Sequence, residues 1–178
     1  MRVFISADIE GTTLTTLWDE TEVGKGIYPP AAQQMTREVK AACEGAIAAG
    51  AEHILIKDAH DYAINLDVTQ LPECAEVIRG WTGSPLGMVD GVDETYDAAL
   101  FVGYHSAAGR CGNPLSHTFT TQTTDVLLNG KPCSEFVLYS YACTLKGVPT
   151  VLLTGDKMLT EDSRDLHPML HTVAVKDG

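Results

Sequence analysis

Short apolar runs recur along the chain, each followed by a polar or glycine-rich stretch. Val3-Phe4-Ile5 reads as a buried first strand that ends at Asp8, and a polar, threonine- and glycine-rich stretch from Gly11 to Gly26 follows it. Pro29-Pro30 then opens a helical pattern, because proline is tolerated in a helix's first turn. Met35, Val39, Ala42 or Cys43, and Ala46-Ile47 recur at helical spacing, and Gly50 is a natural stop. Ile54-Leu55-Ile56 is a second strand that runs out in Lys57-Asp58-Ala59-His60-Asp61. Glu76 to Arg79 is a third, followed by a turn region from Gly80 to Gly91. Ala98 to Val102 is a fourth, ending in Gly103-Tyr104-His105-Ser106.

Ala107 to Pro114 holds Gly109, Gly112 and a proline and reads as loop. Phe119 to Leu128 is β-branched and leads to Asn129-Gly130, which predicts two paired strands about that turn. Ser134 is placed to cap a helix over Glu135–Lys146 that Gly147 closes. Thr150 to Leu153 is a further buried strand, ending in Thr154-Gly155-Asp156. A polar helical segment and a last strand, His171 to Lys176, complete the pattern. Strands alternating with helices predict an α/β fold: a mostly parallel sheet flanked by helices, with a β-hairpin insertion. No repeat or linker divides the 178 residues, so one domain over 1–178 is expected.

Composition narrows the partners. Twenty-four acidic against twelve basic residues leave a formal charge of −12, which argues against nucleic acid and against an anionic membrane surface. No apolar run approaches the length of a transmembrane helix. The N-terminus meets Asp8 too early to hold a signal peptide's apolar stretch. Cys43, Cys74, Cys111, Cys133 and Cys143 are odd in number and form no CxxC pair, so they read as reduced thiols in a cytoplasmic protein.

Three strands end in residue types that ligate metals: Asp8 and Glu10, then His60, then His105. In open parallel sheets, ligand sites form outside the carboxyl ends of the strands, so these tips converge. Glu135, in the first turn of its helix, can add a carboxylate from beside the sheet. Such a mixed oxygen and nitrogen set suits zinc, manganese or another borderline divalent ion. Taken singly, each residue is more often a turn, cap or solvated loop residue than a ligand. Asp8-Ile9-Glu10 adds a physical reason. An extended triplet aims its outer side chains the same way, and adjacent carboxylates repel unless a cation offsets them. His117, mounted on a loop after the glycine-rich segment, is a candidate acid–base or electrostatic residue or else a surface histidine. His53, His167 and His171 read as structural or solvated, and Cys111 lacks an evident base to make it a nucleophile.

Ser6-Ala7-Asp8-Ile9-Glu10-Gly11, Lys57-Asp58-Ala59-His60-Asp61, Gly103-Tyr104-His105-Ser106, Ser116-His117-Thr118 and Ser134-Glu135-Phe136 occur in this order and at these intervals. Together they resemble the zinc-dependent D-aminopeptidase family of self-compartmentalising metallopeptidases, over Met1 to about Lys176. The resemblance implies a pair of zinc ions with Asp8 bridging both. It assigns Glu10 and His105 to one ion and His60 and Glu135 to the other. It places His117 at the family's catalytic position. Its implied activity is hydrolysis of the N-terminal residue, a D-amino acid, from short peptides. Its implied assembly is a homo-oligomer, in the family a ring-shaped decamer.

Two features depart from the family. Its members continue past the segment resembling Thr172 to Lys176, so a catalytic domain cut short at its C-terminus is expected. Gly11-Thr12-Thr13-Leu14-Thr15-Thr16 is richer in threonine than the resemblance implies, which predicts a stiffer loop. Two other functions compete: a metal-binding or assembly module without turnover, and a hydrolase of another small amide. A metal-dependent phosphohydrolase is disfavoured because no basic residue in these motifs, other than Lys57 at a strand end, could hold a phosphate.

Overall fold

The computed structural model describes residues 1–178. Its strands are β1 (Arg2–Ala7), β2 (His53–Asp58), β3 (Ala75–Ile78), β4 (Ala98–Tyr104), β5 (Leu127–Leu128), β6 (Lys131–Pro132), β7 (Thr150–Asp156) and β8 (His171–Lys176). Its helices are α1 (Tyr28–Ala48), α2 (Glu135–Leu145) and α3 (Lys157–Leu166). Six strands make one sheet in the order β3-β2-β1-β4-β7-β8, and every pairing in it is parallel. The expected α/β architecture is the one observed.

Alternation along the central strands decides which helix covers which face. Val3, Ile5 and Ala7 of β1, with Ile54 and Ile56 of β2, pack against Met35, Val39 and Cys43 of α1. Phe4, Leu55 and Phe101 point the other way, onto Phe136 and Cys143 of α2 and Leu159 of α3. Both faces are covered, so these strands are apolar at nearly every position instead of alternating with polar residues. Each fully buried side chain of this size contributes about 1.5–3 kcal/mol of transfer free energy.

The helix starts follow local chemistry. Prolines occupy the first turn of α1. Ser134 caps α2 by accepting from the Val137 amide at 3.2 Å, and Asp156 caps α3 by accepting from the Leu159 amide at 2.8 Å.

The hairpin at Asn129-Gly130 is present but has only two residues on each side. Pro132 has no amide to continue the ladder. Upstream, Phe119 adopts a left-handed backbone (φ 62°) and Thr118 bridges Thr120, which folds the Thr-rich segment back on itself. The Gly11 to Thr16 loop is tied inward. Thr12 and Thr15 are buried, and the Thr12 hydroxyl donates to the Ile9 carbonyl at 2.7 Å and lies 2.8 Å from that of Thr15.

Strand order reverses direction between β1 and β4, because the chain moves outward to β2 and β3 on one side and to β7 and β8 on the other. A crevice opens at such a switch point, beyond the carboxyl ends of the strands.

Candidate metal centre

Asp8 follows β1, His60 follows β2 and His105 follows β4, so the three tips flank that crevice. The β1 backbone stays in register past the last strand residue: the Asp8 amide donates to the Val102 carbonyl and the Gly11 amide to the Gly103 carbonyl, at 2.9 and 2.8 Å. Ile9 is therefore turned into the α1 core while Asp8 and Glu10 face the crevice. Two glycines permit this approach. A Cβ on Gly11 would collide with the Tyr104 carbonyl, and one on Gly103 (φ 75°) with the Asp8 carbonyl.

All six residues singled out in the sequence come together. His60 Nδ1 lies 3.0 Å from Glu10 Oε2 and 3.3 Å from Asp8 Oδ1. His105 Nε2 lies 3.5 Å from Asp8 Oδ2 and 3.3 Å from Glu135 Oε2. The two oxygens of Asp8 thus face different imidazoles. These shortest contacts group Glu10 with His60 and Glu135 with His105, across the partition that the resemblance implies. Asp8, Glu10 and His105 also offer atoms within 4.8 Å of one another, as do His105, His117 and Glu135.

Each imidazole is held by its other nitrogen. His60 Nε2 lies 2.8 Å from the Thr21 carbonyl, His105 Nδ1 3.0 Å from that of Ser106, and His117 Nδ1 2.9 Å from that of Leu115. A carbonyl accepts but does not donate, so each of these nitrogens carries the hydrogen. In the neutral ring, the nitrogen facing the carboxylates then offers a lone pair. Anchoring of this kind fixes the tautomer of metal-binding histidines.

The carboxylates are short of donors. Asp8 Oδ2, Glu10 Oε2 and His105 Nε2 are buried and make no well-formed hydrogen bond. Burial pushes the Asp8 carboxyl up to about 8, and the neighbouring charge of Glu10 adds to the rise. Burial also works against Glu10, but His60 and His105 hold it well below the ordinary range. Burial would lower His105, yet Glu135 and then Asp8 raise it to about 10. Lone pairs facing one another across such distances need a proton or a cation between them. A hard or borderline divalent cation meets that need, and three carboxylates with two or three imidazoles are a donor set that zinc accepts.

Glu135 is the first residue of α2, where the helix dipole favours a carboxylate. Its Oε1 accepts from the Phe119 amide at 2.7 Å, which leaves Oε2 toward His105. His117 stacks on the His105 ring (centroids 4.2 Å apart, 9° between planes) and meets the edge of Trp18 at 5.4 Å. Its Nε2 stands 3.5 Å from Glu135 Oε1 and looks into the cavity.

That cavity has a volume of about 390 Å³. Besides five of the six residues (all but His105, which lies behind them) it is lined by Trp18, Trp81, Met88, Phe119 and Tyr139, with Asp61 and Glu22 among the polar groups. Of these, only Asp61 falls in a motif picked out in the sequence, and none was given a role. The only available signal was that both tryptophans lie in otherwise polar stretches. Asp61 (φ 46°), Ala63 (φ 55°) and Phe119 are non-glycine residues in left-handed conformations, and such strain gathers around functional sites.

A buried polar network stands behind the cluster and also left no local trace in the sequence. Asp156 accepts from the amide and hydroxyl of Ser106, at 2.6 and 2.5 Å, and from Asn113 at 3.4 Å. Asn113 also donates to the Glu10 carbonyl at 2.9 Å. Lys176, near the end of β8, donates to the same carbonyl at 2.5 Å and to that of Thr15. The turns carrying Glu10 and His105 are thereby tied to one frame. His53 is half-buried beside Tyr96, His167 and His171 are exposed, and Cys111 is exposed and outside the cavity.

A D-aminopeptidase of Bacillus subtilis (strain 168) is 33% identical over 178 residues, which is 99% of this chain and 64% of that protein. A solved structure described as the Zn-dependent D-aminopeptidase DppA from Bacillus subtilis, a self-compartmentalizing protease, superposes with a TM-score of 0.92 at 30% identity. It too is matched over 99% of this chain and 64% of its own. The chain therefore spans about two thirds of the length of these relatives, slightly less than that fraction. The family model described as D-aminopeptidase (peptidase M55) matches residues 1–178, and the chain belongs to that family.

Proposed function

We propose that residues 1–178 form the catalytic domain of a zinc-dependent aminopeptidase that removes an N-terminal D-residue from short peptides. The observation that carries this reading is the buried cluster of Asp8, Glu10, His60, His105 and Glu135, whose orphaned atoms face one another. These five residues would hold two zinc ions. When bound, zinc supplies Lewis acidity and lowers the pKa of water to about 7, which makes a nucleophile available at neutral pH.

The chain's own residues do the rest. The carbonyls of Thr21 and Ser106 keep His60 and His105 turned toward the cluster. Leu115 holds the proton of His117 on Nδ1, so Nε2 is the atom that exchanges a proton with the substrate. Hydrolysis adds water across the amide: the acyl carbon gains a hydroxyl and the departing nitrogen a proton. His117 acts as the imidazolium, with its Nδ1 proton kept on the Leu115 carbonyl. Nε2 gives its proton to the departing nitrogen, or a hydrogen bond to the oxyanion of the tetrahedral intermediate, and the proton released by the attacking water restores it. This general-acid contribution is about 10²–10⁴-fold. Trp18, Trp81, Phe119 and Tyr139 form an aromatic rim around the reacting centre. Protein loaded with zinc should hydrolyse the p-nitroanilide of D-Ala and not that of L-Ala. Equal hydrolysis of both would indicate a relaxed peptidase, and hydrolysis of neither a binding module.

The same reading includes a cytoplasmic homo-oligomer. Five free cysteines support a reducing compartment, and the relative's description as self-compartmentalizing supports assembly, in the family's ring of ten. No helix is long and apolar enough to cross a membrane.

Lys176 tests whether the frame behind the cluster matters. Lys176→Met removes both donors from the Glu10–Thr15 turn without adding bulk. Zinc affinity measured by chelator competition should fall by about 10–100-fold, the usual loss when groups behind a ligand are removed. Lys176→Arg should restore part of it.

A further inference from the structure

Lys57 is wholly buried at the end of β2, three residues before His60, and it makes no ion pair. Asp58 and Asp90 lend their fields from further off. Both are otherwise engaged: Asp58 accepts from Asn65 and Leu66, and Asp90 accepts from Thr82. The ammonium instead donates to the Gly80 carbonyl at 2.6 Å and lies 4.2 Å from the centre of the Trp81 ring. Cation–π contact of this kind strengthens where water is excluded.

Trp81 is held at other points too. Its indole N–H donates to the Asp61 carbonyl at 2.5 Å, and the amide of Gly80 donates to the Ala63 carbonyl at 2.8 Å. Asp61 and Ala63 hold left-handed backbone conformations within this stitch. Yet the indole so firmly held is 47% exposed, and it lines the cavity beside His60. An indole packed only for stability would be buried. A rigid one left open to a cavity presents contact area at small entropic cost, which is how binding pockets use aromatic residues.

Position says what lies against it. The proton donor His117 stands on the His105 and Glu135 side, which marks where the departing nitrogen sits. The acyl half of the substrate, and with it the N-terminal side chain, then lies toward His60, where Trp81, tied to the Asp61 carbonyl, forms the wall.

Resting on the aminopeptidase reading, we propose that Trp81, clamped by Lys57, selects the substrate's N-terminal residue and favours a large apolar side chain over a methyl group. Trp81 is the specificity residue and Lys57 its positioning residue. Zinc-loaded wild type should hydrolyse D-Phe p-nitroanilide with a kcat/KM about 10-fold or more above that for D-Ala p-nitroanilide, the range that apolar pocket contacts supply. Trp81→Ala should erase that preference, chiefly through a raised KM for the D-Phe substrate. Trp81→Phe should retain most of it, which separates loss of the wall from loss of the fold. Lys57→Met should fall between.

Trp81 is also the only tryptophan left in a Trp18→Phe background. Its emission should shift on adding D-phenylalanine, and Lys57→Met should blunt the shift and lower the anisotropy. An unchanged substrate preference in Trp81→Ala overturns the proposal. If wild type hydrolyses neither anilide, the aminopeptidase reading fails. In that event an emission shift with D-phenylalanine still supports the wall, and a flat response removes it.

Discussion

His117→Ala is expected to lower kcat by about 10²–10⁴-fold while leaving zinc content unchanged. The argument rests on where each atom of the ring is committed. Nδ1 is spent on the Leu115 carbonyl, and the ring face is stacked on His105. Nε2 is left toward the cavity, 3.5 Å from a Glu135 oxygen that the Phe119 amide already occupies. His117 also lies close enough to His105 and Glu135 to act as a ligand. Metal analysis of the purified variant, run beside single-turnover kinetics, distinguishes the two roles. Loss of one zinc per chain would make His117 a ligand and withdraw it as the proton donor. Full zinc with slow turnover places it at the substrate.

Asp8→Asn is expected to abolish metal binding and activity together, because one neutral oxygen cannot replace a carboxylate whose two oxygens face two histidines. The zinc-free variant should nevertheless be at least as stable as zinc-free wild type. Asp8 is 1% exposed and sits beside Glu10, so an uncharged isostere relieves both burial of charge and repulsion. Wild type should gain stability with zinc, about 2.7 kcal/mol per site at a hundredfold excess over Kd, and the variant should gain none. Thermal melts with and without zinc read both effects. A melting temperature for Asp8→Asn that rises with zinc as in wild type would falsify the assignment of Asp8 as a ligand.

The sequence was most legible where one side chain's environment is set by its own neighbours in the chain. Ser134 caps α2 because a hydroxyl before a helix reaches the third amide, and that relation needs no distant partner. Strand ends were legible because an apolar run stops where the chain leaves the sheet, which placed Asp8, His60 and His105 at tips. Their convergence could be anticipated because parallel strands all end on the same side.

The hairpin about Asn129-Gly130 is present but shorter than the run from Phe119 to Leu128 predicts, since β-branched content describes a preference for extended backbone and not a partner to pair with. Phe119 in a left-handed turn and Pro132 without an amide cut that pairing to two residues a side. Trp81 and Lys57 stayed hidden for a related reason. They lie 24 positions apart, and nothing in either local pattern says that an ammonium will lie under an indole.

Sequence alone determined the alternation of strands and helices, the excess of carboxylates and the six polar residues that gather at the strand tips. Each follows from local periodicity or residue chemistry. Tertiary structure decided which nitrogen of each histidine faces the cluster, because that depends on the carbonyls of Thr21, Ser106 and Leu115. It also decided that Lys176, Asn113 and Asp156 brace the turns from behind, and that an exposed indole forms the cavity wall. Those contacts join residues up to 166 positions apart. Only the folded sheet, by setting one loop against another, brings them within reach.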